Sequence, residues 1–254
     1  MAPRPGCRPL FEQSAIREAR AALAPTGTLR AGINLSNFLL VSSRAADGTP
    51  IGVAPDFASE IALRLDVPVR YVCYDKPDLL AAAADDDAWD IALIGAEPAR
   101  AQTIAFTSAY SEIECTYLVS AGSPFMTIDD VDRAGVRIAS MKGAAYDLWL
   151  ERNLKLATLI QSKTIDESFD TFVTERLDAL SGLRPRLLQD VVKLPGGRLL
   201  DGCFASVQQA VGTKRSNVAG ARFLAEVVDD VRRSGFVALL IERHGVRGLS
   251  ATRR

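Results

Sequence analysis

Four consecutive apolar residues, Ile91-Ala92-Leu93-Ile94, stand between Asp90 and Gly95. An unbroken apolar run this short, closed by a glycine, reads as a strand buried on both faces of a mostly parallel sheet. The residues before it supply the neighbours such a strand needs. Thr28–Leu35 and Val69–Tyr74 read as strands, Phe57, Ile61 and Leu65 recur at helical spacing between them, and Pro77–Ala84 reads as a second helix. A strand–helix–strand–helix–strand order implies parallel strands with right-handed crossovers. Ligands of such sheets sit beyond the carboxyl ends of the strands, so the loop Gly95–Arg100, with Glu97 and Arg100 on it, lies where binding is expected.

The layout starts again at Gly135. Residues 136–141 read as a strand, Gly143 as a turn and the stretch to Leu154 as a helix. Leu156–Ile160 follows as a strand, Ile165–Glu175 as a helix and Leu177–Gly182 as a strand. Thr164 and Glu167 have the spacing of a capping box ahead of Phe169, Phe172 and Val173. After Gly202, the stretch from Val207 reads as a strand returning to the first unit, with closing helices at Val218–Arg233 and Phe236–Arg243. The chain therefore leaves its first unit near Tyr117 and comes back near Val207, and two crossings make a hinge. The expected division is a first lobe over 26–117, a second over 118–206, a return over 207–254, and an N-terminal extension over 1–25 holding a short charged helix at Ser14–Leu23.

Composition narrows the function. With 30 Lys+Arg against 31 Asp+Glu, the chain has no basic excess that would favour nucleic acid. No stretch is apolar for long enough to span a membrane. The single histidine, His244, and the widely spaced Cys7, Cys73, Cys115 and Cys203 offer no metal-ligand cluster, so neither metal nor cofactor is expected. Cys73 and Cys115 fall in strands, where free cysteine behaves as a small buried hydrophobe. The first 27 residues hold basic residues without a continuous apolar run, so they do not read as a secretory signal, and Cys7 lacks the apolar run that lipidation needs.

From Asp90 onward the chain shows an aspartate, four apolar residues and a glycine, then Arg100-x-x-x-Ile104-x-Phe106-Thr107-x-x-Tyr110 and an apolar strand. This pattern resembles the amino-acid-type, family 3, solute-binding proteins of bacterial ABC transporters, over about Thr26 to Gly245. Gly52, Asp56 and Ala58 fit the same frame, with Asp56 read as a helix-start residue. The resemblance implies a type II periplasmic-binding fold, two Rossmann-like α/β lobes joined by a two-strand hinge. It implies that Arg100 clamps the carboxylate of a ligand, and a guanidinium fork suits that task as lysine does not. Otherwise Arg100 is a solvated loop residue. It places Phe38 on a loop that covers the ligand, although Phe38–Val41 also reads as a strand edge. It places Gly143, Ala144 and Ala145 at a helix start whose amides meet an anion, with Lys142 beside them pointing into the cleft or into water.

Two departures bear on the ligand. Ala144 and Ala145 lack the hydroxyls usual in the family, and Leu183 followed by Arg184 stands where an ammonium-binding aspartate is usual. Glu97 is then the acid left near the ligand, either taking an ammonium or orienting Arg100. The leading reading is a monomeric binder of a small carboxylate-bearing, amino-acid-like solute, feeding an ABC permease. The resemblance implies a periplasmic place; the missing export signal leaves the cytoplasm open. The competing readings are an enzyme like the cyclohexadienyl dehydratases, with Glu97 as acid, and a cytoplasmic ligand sensor.

Overall fold

A computed structural model describes residues 12–252; the sequence reading of Cys7 falls outside them. The first lobe opens with α1 (Gln13–Leu23), whose buried Ala19 and Leu23 face the closing helices. Then come β1 (Leu29–Asn34), a small hairpin of β2 (Ser43–Arg44) and β3 (Pro50–Ile51), α2 (Val53–Leu65), β4 (Val69–Tyr74), α3 (Pro77–Ala82) and β5 (Ile91–Gly95). β6 (Ile104–Phe106) precedes the long strand β7 (Ser111–Val119). The second lobe runs β8 (Arg137–Met141), α4 (Ala145–Asn153), β9 (Thr158–Ser162), α5 (Ile165–Thr174), β10 (Ala179–Leu183), α6 (Arg184–Asp190) and β11 (Arg198–Leu199). β12 (Ala205–Lys214) brings the chain back, and α7 (Val218–Ser234), α8 (Phe236–Arg243) and β13 (Ser250–Ala251) close it.

The main sheet has the order β4-β1-β5-β12-β7-β10-β8-β9. Its halves follow one rule. In each, three parallel strands lie in the order second, first, third (β4-β1-β5 and β9-β8-β10), and each third strand borders an antiparallel crossing strand, β12 or β7. The crossing strands pair with each other over Ala205–Gln209 and Ser111–Cys115, so the hinge is itself a hydrogen-bonded ribbon.

The same local device pins both halves. Asp90, just before β5, accepts the Arg30 amide of β1 at 2.7 Å, and Asp178, just before β10, accepts the Arg137 amide of β8 at 2.8 Å. Each arginine also reaches a carbonyl of a left-handed residue: Arg30 that of Asp87 (φ 53°), Arg137 that of Arg176 (φ 50°). The repeat shows in the bonding and in this one pair of residue types, Arg30 with Asp90 and Arg137 with Asp178.

β5 is buried along its whole length, as its composition requires. Phe57, Ile61 and Leu65 of α2 are fully buried, and Asp56 sits in that helix's first turn, where its carboxylate is hydrogen-bonded to His244 Nε2 at 2.9 Å. Thr164 caps α5 by accepting the Glu167 amide at 3.1 Å, but Glu167 reaches back to the amide of Lys163 rather than to Thr164. Phe38–Val41 forms turns, not a strand edge. Cys115 is buried as expected, whereas Cys73 is exposed, because β4 is the outermost strand and nothing covers that side of it. No helix among the described residues is long and apolar enough to cross a membrane.

Candidate functional site

The carboxyl ends of β1, β5, β8 and β10 converge where the lobes meet, and a cavity of about 50 Å³ lies between them. From the first lobe it is walled by Asn34, Ser36, Asn37, Pro77, Ile94, Gly95 and Arg100. From the second lobe come Met141, Ala144, Ala145, Tyr146, Ile165 and Leu183, and β12 adds Val207 and Gln209. One apolar core runs across the junction: Ile33, Leu93 and Val211 belong to the same cluster as Met141, Ala145, Tyr146 and Leu183.

Arg100 follows Ala99 in a short 3-10 turn and is 6% exposed. Its Nη1 donates to the Gly95 carbonyl at 2.7 Å, and its Nη2 donates across the junction to the Gly143 carbonyl at 2.9 Å. Burial pushes the guanidinium down to about 10, against the pull of Glu97 and Asp78, so it keeps its charge at neutral pH. Gly95 lies where a side chain has no room: an added Cβ would stand 2.9 Å from Val207 and 3.2 Å from Ala145.

Opposite stands the start of α4. Gly143 has φ +77°, its amide donates to Asp147 at 2.9 Å, and the Ala144 amide donates to Met141. The next amides, of Ala145 and Tyr146, belong to the helix's first turn and border the cavity; first-turn N–H groups have no acceptor within their own helix. Asp147 is fully buried and receives the Gln161 side chain as well; burial raises its carboxyl above the ordinary range.

Of the residues singled out from sequence, Gly95, Arg100, Ala144 and Ala145 line this cavity together, and Gly143 stands behind it as an acceptor for Arg100. The others lie elsewhere. Lys142 is exposed. Glu97, 8% exposed, receives Arg152 of α4 in an ion pair between the lobes and is absent from the cavity wall. Phe38 and Arg184 line a separate cavity of about 500 Å³ beside Glu112 and Glu114, where Arg184 donates to Glu114 at 2.8 Å.

Sequence reasoning missed Asn34, Asn37 and Gln209. Gln209 was legible: along β12 it shares the inward side with Val207 and Val211, where a polar residue has no reason to stand unless something meets it. Its amide is 3% exposed and makes no hydrogen bond among the described residues.

The sequence profile of the bacterial extracellular solute-binding proteins, family 3, matches residues 29–245. The chain belongs to that family. Solved structures agree with its fold. A mutant of ArgBP from T. maritima is 21% identical, with 92% of this chain and 100% of that one covered, at a TM-score of 0.70. A putative ABC-transporter binding component from Wolinella succinogenes, complexed with lysine, is 20% identical over 85% of this chain and 95% of that one, at 0.71. An ancestral amino acid-binding protein, a precursor of cyclohexadienyl dehydratase, is 19% identical over 87% and 96%, at 0.69. Among curated proteins no sequence matches. In this family 3 solute-binding protein, the Arg100 cavity lies between the two lobes, beside the strands that join them.

Proposed function

We propose that the protein binds a small carboxylate-bearing, amino-acid-like solute at the Arg100 cavity and presents it to an ABC permease outside the cytoplasmic membrane. The observation that carries this is Arg100. A charged, almost fully buried guanidinium whose acceptors are two backbone carbonyls faces the amide-bearing start of a helix across a cavity. Neutral carbonyls put no counter-charge in contact with it, and a carboxylate supplies both that charge and a partner for the α4 amides. In this proposal the lobes divide near Tyr117 and Val207 and the protein acts as a monomer, and the relative complexed with lysine supports an amino-acid-like ligand.

The enzyme reading needs Glu97 as an acid in the cleft, and Glu97 is engaged with Arg152 outside the cavity wall. Prephenate and arogenate are therefore expected back unchanged after incubation with the protein. A thermal-shift panel of amino acids and their acid relatives tests the binding reading. A true solute at 100 times its dissociation constant stabilises the fold by about 2.7 kcal/mol. A panel in which no carboxylate raises the midpoint overturns the proposal.

A further inference from the structure

The Arg100 cavity holds one formal charge, and nothing in its wall balances a second cation. No Asp or Glu lines it. Two nearby carboxylates are committed elsewhere, Glu97 to Arg152 and Asp147 to the Gly143 amide and Gln161, while Asp78 is exposed and stands behind Gly143, outside the cavity wall, 3.1 Å from where a Gly143 Cβ would be. An α-amino acid brings both a carboxylate and an ammonium. Its carboxylate would neutralise Arg100, and its ammonium would then stay buried without a counter-ion beside that guanidinium, a costly arrangement.

The polar groups that do face the cavity are neutral amides. Gln209 is 3% exposed with no hydrogen-bond partner among the described residues. Asn37 is 8% exposed; its carbonyl oxygen accepts the Leu39 amide at 3.2 Å, and its NH2 has no bond among the described residues. A primary amide offers both a donor and an acceptor, which matches a hydroxyl or a carbonyl group. The remaining wall, Ile94, Met141, Ile165, Leu183 and Val207, is aliphatic. A second carboxylate finds no partner either, since Arg184 faces the other cavity and is paired with Glu114.

We infer that the preferred solute is a short-chain 2-hydroxy or 2-oxo monocarboxylic acid, its carboxylate on Arg100 and its neutral 2-oxygen on Gln209 and Asn37. The small cavity, about 50 Å³, suits a short-chain acid. This assignment rests on the cavity being the solute site and adds the identity of the group beside the carboxylate.

Titration calorimetry of the full chain with matched acids tests it: lactate, pyruvate and alanine in one series, 2-hydroxyisovalerate, 2-oxoisovalerate and valine in the other. The hydroxy or oxo acid is expected to bind roughly ten- to a hundredfold tighter than the amino acid of the same skeleton. Gln209→Glu, which places a carboxylate at the 2-position, should move the preference toward the amino acid. Asn37→Asp, on a loop rather than in the central sheet, should do the same and stands in if Gln209→Glu fails to fold. An unaltered protein that binds the amino acid as tightly as its partners overturns the inference while leaving the carboxylate site standing. Binding of none of the six acids overturns the solute-site reading, and this inference with it.

Discussion

Replacing Arg100 by alanine separates a binding residue from a structural one. The guanidinium is nearly buried, and burial lowers it to about 10, which corresponds to a desolvation disadvantage of about 3 kcal/mol. Against this stand two hydrogen bonds from a charged donor, at 2.7 and 2.9 Å, each contributing about 1.5–3 kcal/mol. The two sums nearly offset, leaving a net contribution to folding of about 0–3 kcal/mol, so Arg100→Ala should lower urea-unfolding stability by no more than that. The same substitution should weaken carboxylate binding by tenfold to a few hundredfold in titration calorimetry, because the bidentate contact is gone. Arg100→Lys should recover little, since an ammonium cannot span Gly95 and Gly143 as a fork does. The reasoning fails if Arg100→Ala costs about 5 kcal/mol or more of stability, the scale of a broken buried ion pair. It fails equally if affinity is unchanged.

The pair between Glu97 and Arg152 ties the lobes together with one partner buried and one partly open. A double-mutant cycle with Glu97→Gln and Arg152→Met should give a coupling of about 1 kcal/mol, and small-angle scattering should show the double variant expanded; no coupling and no expansion would deny the tie. Asp90→Ala should cost about 3 kcal/mol in chemical unfolding, because it strands the Arg30 amide and a mostly buried guanidinium. Asp178→Ala, at the less buried equivalent place, should cost about 1 kcal/mol, and equal losses would refute the role of burial. Asp147 has its carboxyl raised by burial, so its favourable contribution is complete below about pH 4 and is lost as pH rises through the folded value. Asp147→Asn should therefore gain on the unaltered protein as pH climbs from about 4 to 7; a gap that is constant across urea unfolding at these pH values would disprove the assignment.

Most of the architecture was legible because it is written in short-range signals. An apolar tetrad ending in glycine fixes β5, and 3.6-residue periodicity fixes α2. Gly95, Arg100, Ala144 and Ala145 were readable from the family frame, since each stands at the end of a strand or the start of a helix whose position the pattern already sets. What escaped depends on long-range pairing. Glu97 finds Arg152, 55 residues on, only because α4 packs opposite the β5 loop, and no local pattern announces it. Phe38 falls in the second cavity because of the path the loop takes after β1, and Arg184, the first residue of α6, because β7 brings Glu114 beside it. Cys73 is exposed because β4 ends the sheet, a fact about strand order rather than about the sequence VRYVCY.

The return of the chain through β12 sets the order in which the protein can form as it is made. β5 is finished at Gly95, but the strand that covers its free edge begins only at Ala205, roughly 110 residues later. At 5–20 residues per second the ribosome needs roughly 5–20 s to supply it. Throughout that interval the nascent first lobe carries a strand that is buried along its whole length in the finished fold, with one edge bare, and such an edge is a template for pairing with other chains. The second lobe meets no such delay, because β7, the strand that borders β10, is finished at Val119 before β8 begins at Arg137. Slow synthesis or crowding of nascent chains therefore endangers the Ile91–Gly95 edge before any other part of the sheet.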